Sequence, residues 1–117
     1  MREPSAGELK RRVTIRYWQD SPNSDFGLTP VFTEDYACWA KVEPVSGSLY
    51  WGSKQTGDAV THRVTVRYVL GKTDPASITG EHVIESEGTR YRVRRVTDIN
   101  DARRFVAVEV EQLGDVA

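Results

Sequence analysis

The sequence predicts an all-β protein, a small antiparallel β-barrel of about six strands with a long loop between the second and third. Two observations carry that expectation. Apolar and polar residues alternate with a period of two in most segments, and clusters of turn-forming residues separate those segments at regular intervals. A helical period of 3.6 appears nowhere at length; the best helix candidate is a short turn within 46–55, which Gly52 weakens.

The first strand is expected at 12–17, with Val13, Ile15 and Tyr17 on one face and Thr14, Arg16 and Trp18 on the other. Residues 19–30 collect Asp20, Ser21, Pro22, Asn23, Ser24, Asp25 and Gly27, which predicts a hairpin-like excursion with Phe26 and Leu28 as loop anchors. A second strand covers roughly 31–42. There Cys38, Ala40 and Val42 oppose Trp39, Lys41 and Glu43, and Pro44 ends the run because proline cannot donate to a ladder. Residues 45–60 are the least regular stretch, with three glycines spaced around Leu49, Tyr50 and Trp51; a connection this long in a small domain is usually functional.

The third strand, 61–70, has His62, Val64, Val66 and Tyr68 on one face and Arg63, Thr65 and Arg67 on the other. A weaker strand at 81–85 leads into a Glu87-Gly88 turn. Then 89–96 sets Tyr91 and Val93 against Arg90, Arg92 and Arg94, and Val96 joins the apolar face if the register shifts near Arg95. Residues 98–101 read as a polar loop. The last strand, 105–113, has Val106, Val108 and Val110 opposite Glu109 and Glu111. The ends, 1–8 and 114–117, are expected to fray.

The 117 residues suit one domain, 1–117, because two separate cores would each be too small to fold comfortably. Sixteen basic and seventeen acidic side chains leave a net charge of −1, which argues against a strongly basic nucleic-acid binder. The single cysteine, Cys38, forms no internal disulfide and suits a small buried hydrophobe. Residues 1–10 are polar, without a signal-peptide core, and no stretch is long and apolar enough for a membrane helix.

Catalytic chemistry finds no support. His62, His82 and Cys38 are the only soft metal ligands and none lies at zinc spacing, so no metal site is expected. Asp98, Asn100 and Glu109 only partly follow a calcium loop, since Arg103 replaces its glycine and Ala102 one of its ligands. Ser46-Gly47-Ser48 lacks the flanks of a nucleophile elbow, and His62 suits a satisfied core histidine better than a base. No cofactor and no catalytic residue is assigned.

Twelve of the sixteen basic residues are arginine. Arg63 and Arg67 share one strand face, and Arg90, Arg92 and Arg94 another. Cross-strand pairing with Glu85, Glu87, Glu109 and Glu111 is the favoured account, because acidic residues match basic ones almost one for one. A subunit interface fits equally well, since the planar guanidinium suits carboxylates across a contact. The runner-up function is a small-barrel single-stranded nucleic-acid-binding module. Trp18 and Trp39 face away from the main apolar stripes, which suits either interface anchors or cover for a second barrel face.

Four motifs, in order along nearly the whole chain, carry a resemblance. They are Gly7-Glu8-Leu9-Lys10-Arg11-Arg12-Val13-Thr14-Ile15, then Cys38-Trp39-Ala40-Lys41-Val42-Glu43-Pro44-Val45-Ser46-Gly47, then Thr61-His62-Arg63-Val64-Thr65-Val66-Arg67-Tyr68, and finally Tyr91-x-Val93-x-x-Val96 leading into 103–111. In these the sequence resembles the phage head-tail joining (head-closure, or stopper) proteins of long-tailed phages. It departs from them around 78–87, and Gly88-Thr89-Arg90-Tyr91 adds a residue that leaves the 78–91 hairpin register open.

The resemblance implies a non-enzymatic structural protein of the virion, at the head-tail interface, made in the bacterial host cytoplasm. It implies a homo-oligomeric ring, twelve-fold in the family, that is compatible with a monomer in solution. The ring closes the DNA channel after packaging and offers the surface on which the tail docks. Its partners would be portal or adaptor connector proteins on one side and a tail terminator or tail-tube protein on the other. Packaged DNA would lie nearby without specific binding, and no membrane is involved. Carried over, the channel loop is 45–60, with Ser46, Gly47, Leu49, Tyr50, Trp51, Gly52, Lys54 and Gly57 as its working residues. Trp18, Arg63, Arg67, Arg90, Arg92 and Arg94 are the expected inter-subunit or partner contacts.

Overall fold

The computed structural model describes residues 6–22, 27–45 and 60–115. Six strands run β1 (Arg11–Pro22), β2 (Leu28–Pro44), β3 (His62–Arg67), β4 (His82–Ser86), β5 (Thr89–Asp98) and β6 (Phe105–Asp115). They pair antiparallel in the order β1-β2-β3-β6-β5-β4, and β4 returns to β1, so the sheet closes into the expected barrel. Closure follows from the sequence pattern. Every strand has an apolar face too large to leave in water, and a sheet this small buries it by curling on itself. Val13, Ile15, Ala40, Val64, Val66, Ile84, Val93, Val106, Val108 and Val110 meet inside, with Ile78 and Tyr91 joining them. Short β-branched side chains dominate because the lumen of a six-stranded barrel is narrow.

β2 is the longest element and serves two neighbours. Its first part, through Ala40, pairs with β1, and Ala40–Pro44 pairs with β3. The expected excursion over 19–30 is therefore much shorter. Gln19↔Val31, Asp20↔Pro30 and Pro22↔Leu28 are strand pairs, and Leu28 is exposed on a strand rather than anchoring a loop. Pro30 is tolerated because, among the described residues, β2 has no second strand beside it there. Phe26 lies outside the described residues, as do the helix candidate within 46–55 and the loop residues 46–59.

The Glu87-Gly88 turn resolves the β4–β5 register. Both residues have positive φ, 50° and 81°, as a two-residue type I′ hairpin requires. Val83↔Arg92 through Ser86↔Thr89 then pair without a slip. The irregularities lie instead between β5 and β6: Leu113 is skipped between the Arg90↔Gly114 and Tyr91↔Gln112 pairs, and Arg94 between Val93↔Val110 and Arg95↔Glu109, so Arg94 is the bulged residue of β5. The alternation thereby shifts and Val96 packs against the core.

Four further segments differ from the sequence reading. β3 stops at Arg67, and Tyr68–Leu70 leaves it as the start of a turn-rich connection. Thr73 organises that connection: its hydroxyl accepts the Val69 N–H at 2.7 Å and donates to the Arg67 carbonyl at 2.6 Å. The 98–101 loop is not simply polar, since Ile99 is buried with Leu9, Phe105 and Ala107 in a small cluster outside the main core. At the C-terminus, Gly114 and Asp115 pair with Arg90 and Thr89 instead of fraying. At the other end, Ala6–Glu8 forms a 3-10 turn, and Glu8 reaches Lys41 at 3.7 Å.

Candidate assembly surface

The stems of the 45–60 connection are fixed at one end of the barrel. Val45 N–H donates to the Thr61 carbonyl at 3.1 Å, and Thr61 N–H donates to Val110 at 2.9 Å. The Thr61 hydroxyl accepts the Gln112 N–H at 2.8 Å, while Val60 is buried. Chain thus leaves and re-enters beside β6 from anchored points. The eight loop residues named above, Ser46 to Gly57, lie outside the described residues.

On the outer wall, arginines interleave with carboxylates and aromatic rings. Glu85 on β4 receives Arg90 at 3.0 Å and Arg16 at 3.4 Å. Arg16 also donates to Asp35 at 2.8 Å. Both guanidiniums lie over the Phe32 ring, 5.1 Å and 4.1 Å from its centre. Partial burial alone would lower the Arg16 pKa; the hydrogen bonds and charges of Asp35 and Glu85 outweigh it and hold the value raised. Beside this cluster Arg92 stands over Trp18 at 5.3 Å, and the Trp18 indole N–H donates to Asp20 at 3.2 Å. Arg94 pairs with Glu111, Arg95 with Glu109 at 3.1 Å, and Arg63 lies 3.9 Å from Glu43.

Of the predicted contact residues, Arg63, Arg90 and Arg94 are therefore engaged within the chain, in the cross-strand manner the charge balance suggested. Arg67 lies over the Phe105 ring at 5.9 Å, and neither it nor Arg92 has a carboxylate partner among the described residues. Trp18 and Arg92 are brought together; Arg67 is at the far end of β3. Sequence reading missed Arg16, Phe32 and Asp35. Their grouping depends on the bulge between the Ile15 and Tyr17 pairs, where Glu34 takes φ 58°, and alternation alone does not reveal it.

Among the described residues no three or more His, Cys, Asp or Glu side chains gather as a metal site, and no helix is long and apolar enough to cross a membrane. Burial pushes the Cys38 thiol up to about 11, against the pull of Arg12. His62 is half-buried, edge-on to Tyr91 with ring centres 5.1 Å apart. The His82 ring packs on Tyr17 at 5.3 Å, and its Nδ1 accepts the Thr79 N–H at 3.0 Å.

Burial lowers the pKa of both histidines below 6.5, with Arg11 adding to the effect at His62 and Glu34 and Glu81 opposing it at His82. Each ring is thus neutral in the fold at pH values where the unfolded chain already binds a proton. Stability from this source is complete above about pH 6.5 and declines as the pH falls toward the folded-state values. The midpoint of thermal unfolding is accordingly expected to drop between pH 7 and pH 5. His82→Gln flattens that slope; an identical slope in the variant would show that His82 does not contribute.

The family comparison decides the class of protein. The family model of the phage head completion protein matches residues 4–113, almost the whole chain. The chain belongs to that family. It is a structural protein of the virion, and its contacts are with other virion components. Among solved structures, this head completion protein is similar to a protein from Shigella flexneri 2a seen in solution, with a TM-score of 0.66 and 19% identity over 94% of this chain and 97% of that one. It is also similar to a chain in the virion of a native gene transfer agent particle, with a TM-score of 0.59 and 14% identity over 98% of this chain and all of that one. At such identities these two establish the barrel fold alone. No curated protein matches the sequence.

Proposed function

We propose that this head completion protein is the stopper of the head-tail connector. It forms a homo-oligomeric ring beneath the portal or adaptor, closes the DNA channel after packaging and presents the docking surface for the tail terminator or tail tube. The observation that carries the reading is the family match over 4–113, joined to a barrel whose longest connection leaves from anchored stems at one end. The likeness to a chain of a gene transfer agent virion agrees with a place in such a particle. In this reading residues 45–60 are the channel loop, with Gly47, Gly52 and Gly57 as hinges and Tyr50 and Trp51 packing between neighbouring loops. Arg67, Arg92 and Trp18 take the partner contacts. Arg63, Arg90 and Arg94 act first in the wall, where their charge is already balanced. That balance also weighs against the nucleic-acid-binding alternative, because few guanidiniums remain to neutralise phosphates.

Electron microscopy of lysates from a phage or induced prophage with a stop codon in this gene tests the role. Finished tails beside tailless heads, many of them emptied of DNA, are expected. Normal tailed particles would reject it.

A further inference from the structure

Beyond the Tyr17↔His82 pair and the bond from Trp18 N–H to the Glu81 carbonyl at 2.8 Å, β1 pairs with β2 alone, and residues 28–39 of β2 have no second strand neighbour, among the described residues. The two strands project as a two-stranded arm, and the molecule measures 48 Å along its longest axis against 31 and 25 Å across. The arm exposes an apolar side chain on each face: Leu28, on the Trp18 face, is 64% exposed, and Val31, on the other, 38%. An isolated two-stranded ribbon is only marginally stable in water, so this arm has the composition of one that is covered on assembly.

A complementary surface exists on the same chain. An open groove of about 360 Å³ is lined by Leu9, Tyr36, Trp39 and Val69, with Arg12 and Arg67 at its sides. Trp39 is 54% exposed and carries the Arg12 guanidinium 5.2 Å from its ring centre. Neither Arg12 nor Arg67 has a carboxylate partner among the described residues. Asp20 is the arm's acidic counterpart: it pairs across from Pro30, one diagonal step from Leu28 on the same face, and accepts the Trp18 indole N–H.

We propose that the arm of one copy docks in the groove of the next, Leu28 filling the space between Trp39 and Val69 and Asp20 pairing with Arg12. The arm cannot reach its own groove. Leu28 lies roughly 25 Å up β2 from Tyr36 at the rise of a strand, and the β1–β2 ladder holds that distance fixed. Two different patches of one chain then meet between copies, which is a head-to-tail contact and closes into a ring when the rotation allows. The proposal rests on the ring reading above and specifies the contact that builds it.

Two chains test it, Leu28→Cys and Val69→Cys, each also carrying Cys38→Ala, produced together in heads and oxidised. Mixed disulfide dimers are expected in several-fold excess over either homodimer. Predominant homodimers would overturn the head-to-tail geometry. Several copies per head without a crosslink would overturn the arm contact but leave the ring, whereas a single copy per head would overturn both. Charge reversal gives an independent readout. Asp20→Arg and Arg12→Asp are each expected to cut the yield of tailed particles roughly tenfold, and the double variant to restore it. A double variant no better than the singles would overturn the pairing.

Discussion

Replacing Ile84 with alanine is expected to lower the free energy of unfolding by about 2–5 kcal/mol. Ile84 sits at the middle of β4, faces Ile15 on one side and Tyr91 on the other, and is fully buried in the main cluster. β4 has only five residues, yet it is the strand that joins β1 to β5 and so closes the barrel. Removing most of its one large inward side chain leaves a cavity that the flanking ladders prevent from collapsing. The loss is a large share of the roughly 5–15 kcal/mol that a domain this size commands. Urea denaturation measures it as a fall in midpoint at unchanged slope. A cost under about 1 kcal/mol would mean that the β4 side of the barrel is loose rather than closed.

Much of this architecture was legible because barrel interiors impose period two. Val64 and Val66, or Val106, Val108 and Val110, announce their face without any knowledge of their neighbours. Irregularities were legible only in part. The sequence indicated a shift near Arg95, but the residue that bulges is Arg94, since the choice depends on how Val93 and Val110 pair across strands. The excursion over 19–30 was legible as a hairpin, but its strand character was not. Pro22, Gly27 and Pro30 are turn formers by propensity, and it is the β1–β2 ladder that makes the flanking residues strand.

The candidate surface was less legible still. Arginine alternation pointed correctly to an outward face, but whether a guanidinium meets a carboxylate of its own chain or another's depends on cross-strand neighbours. Arg90 meets Glu85 and Arg94 meets Glu111, while Arg92, in the same row, meets Trp18. The apolar groove escaped notice because Leu9, Trp39 and Val69 come from three segments far apart in sequence.

Glu85→Gln is the second large effect expected, a loss of about 1–3 kcal/mol. The substitution keeps the shape of the side chain and removes its charge. Arg16 and Arg90 then share the Phe32 ring without the carboxylate that lies between them, and among the described residues only Arg16 retains another carboxylate, Asp35. The two cations repel at close range, so added salt, which screens them, recovers part of the loss in the variant and little in the parent. The pairing is half-buried, which keeps the cost below that of breaking a fully buried ion pair. Thermal unfolding at two ionic strengths, read beside the yield of tailed particles, separates the two roles that arginine can take here. A destabilised variant that still assembles in proportion to its folded fraction makes Glu85, Arg16 and Arg90 a brace of the barrel wall, with the partner contacts left to Arg67, Arg92 and Trp18. A variant of undiminished stability that fails to join heads to tails would instead place Arg90 at the interface, with Glu85 merely holding it in position until the partner arrives.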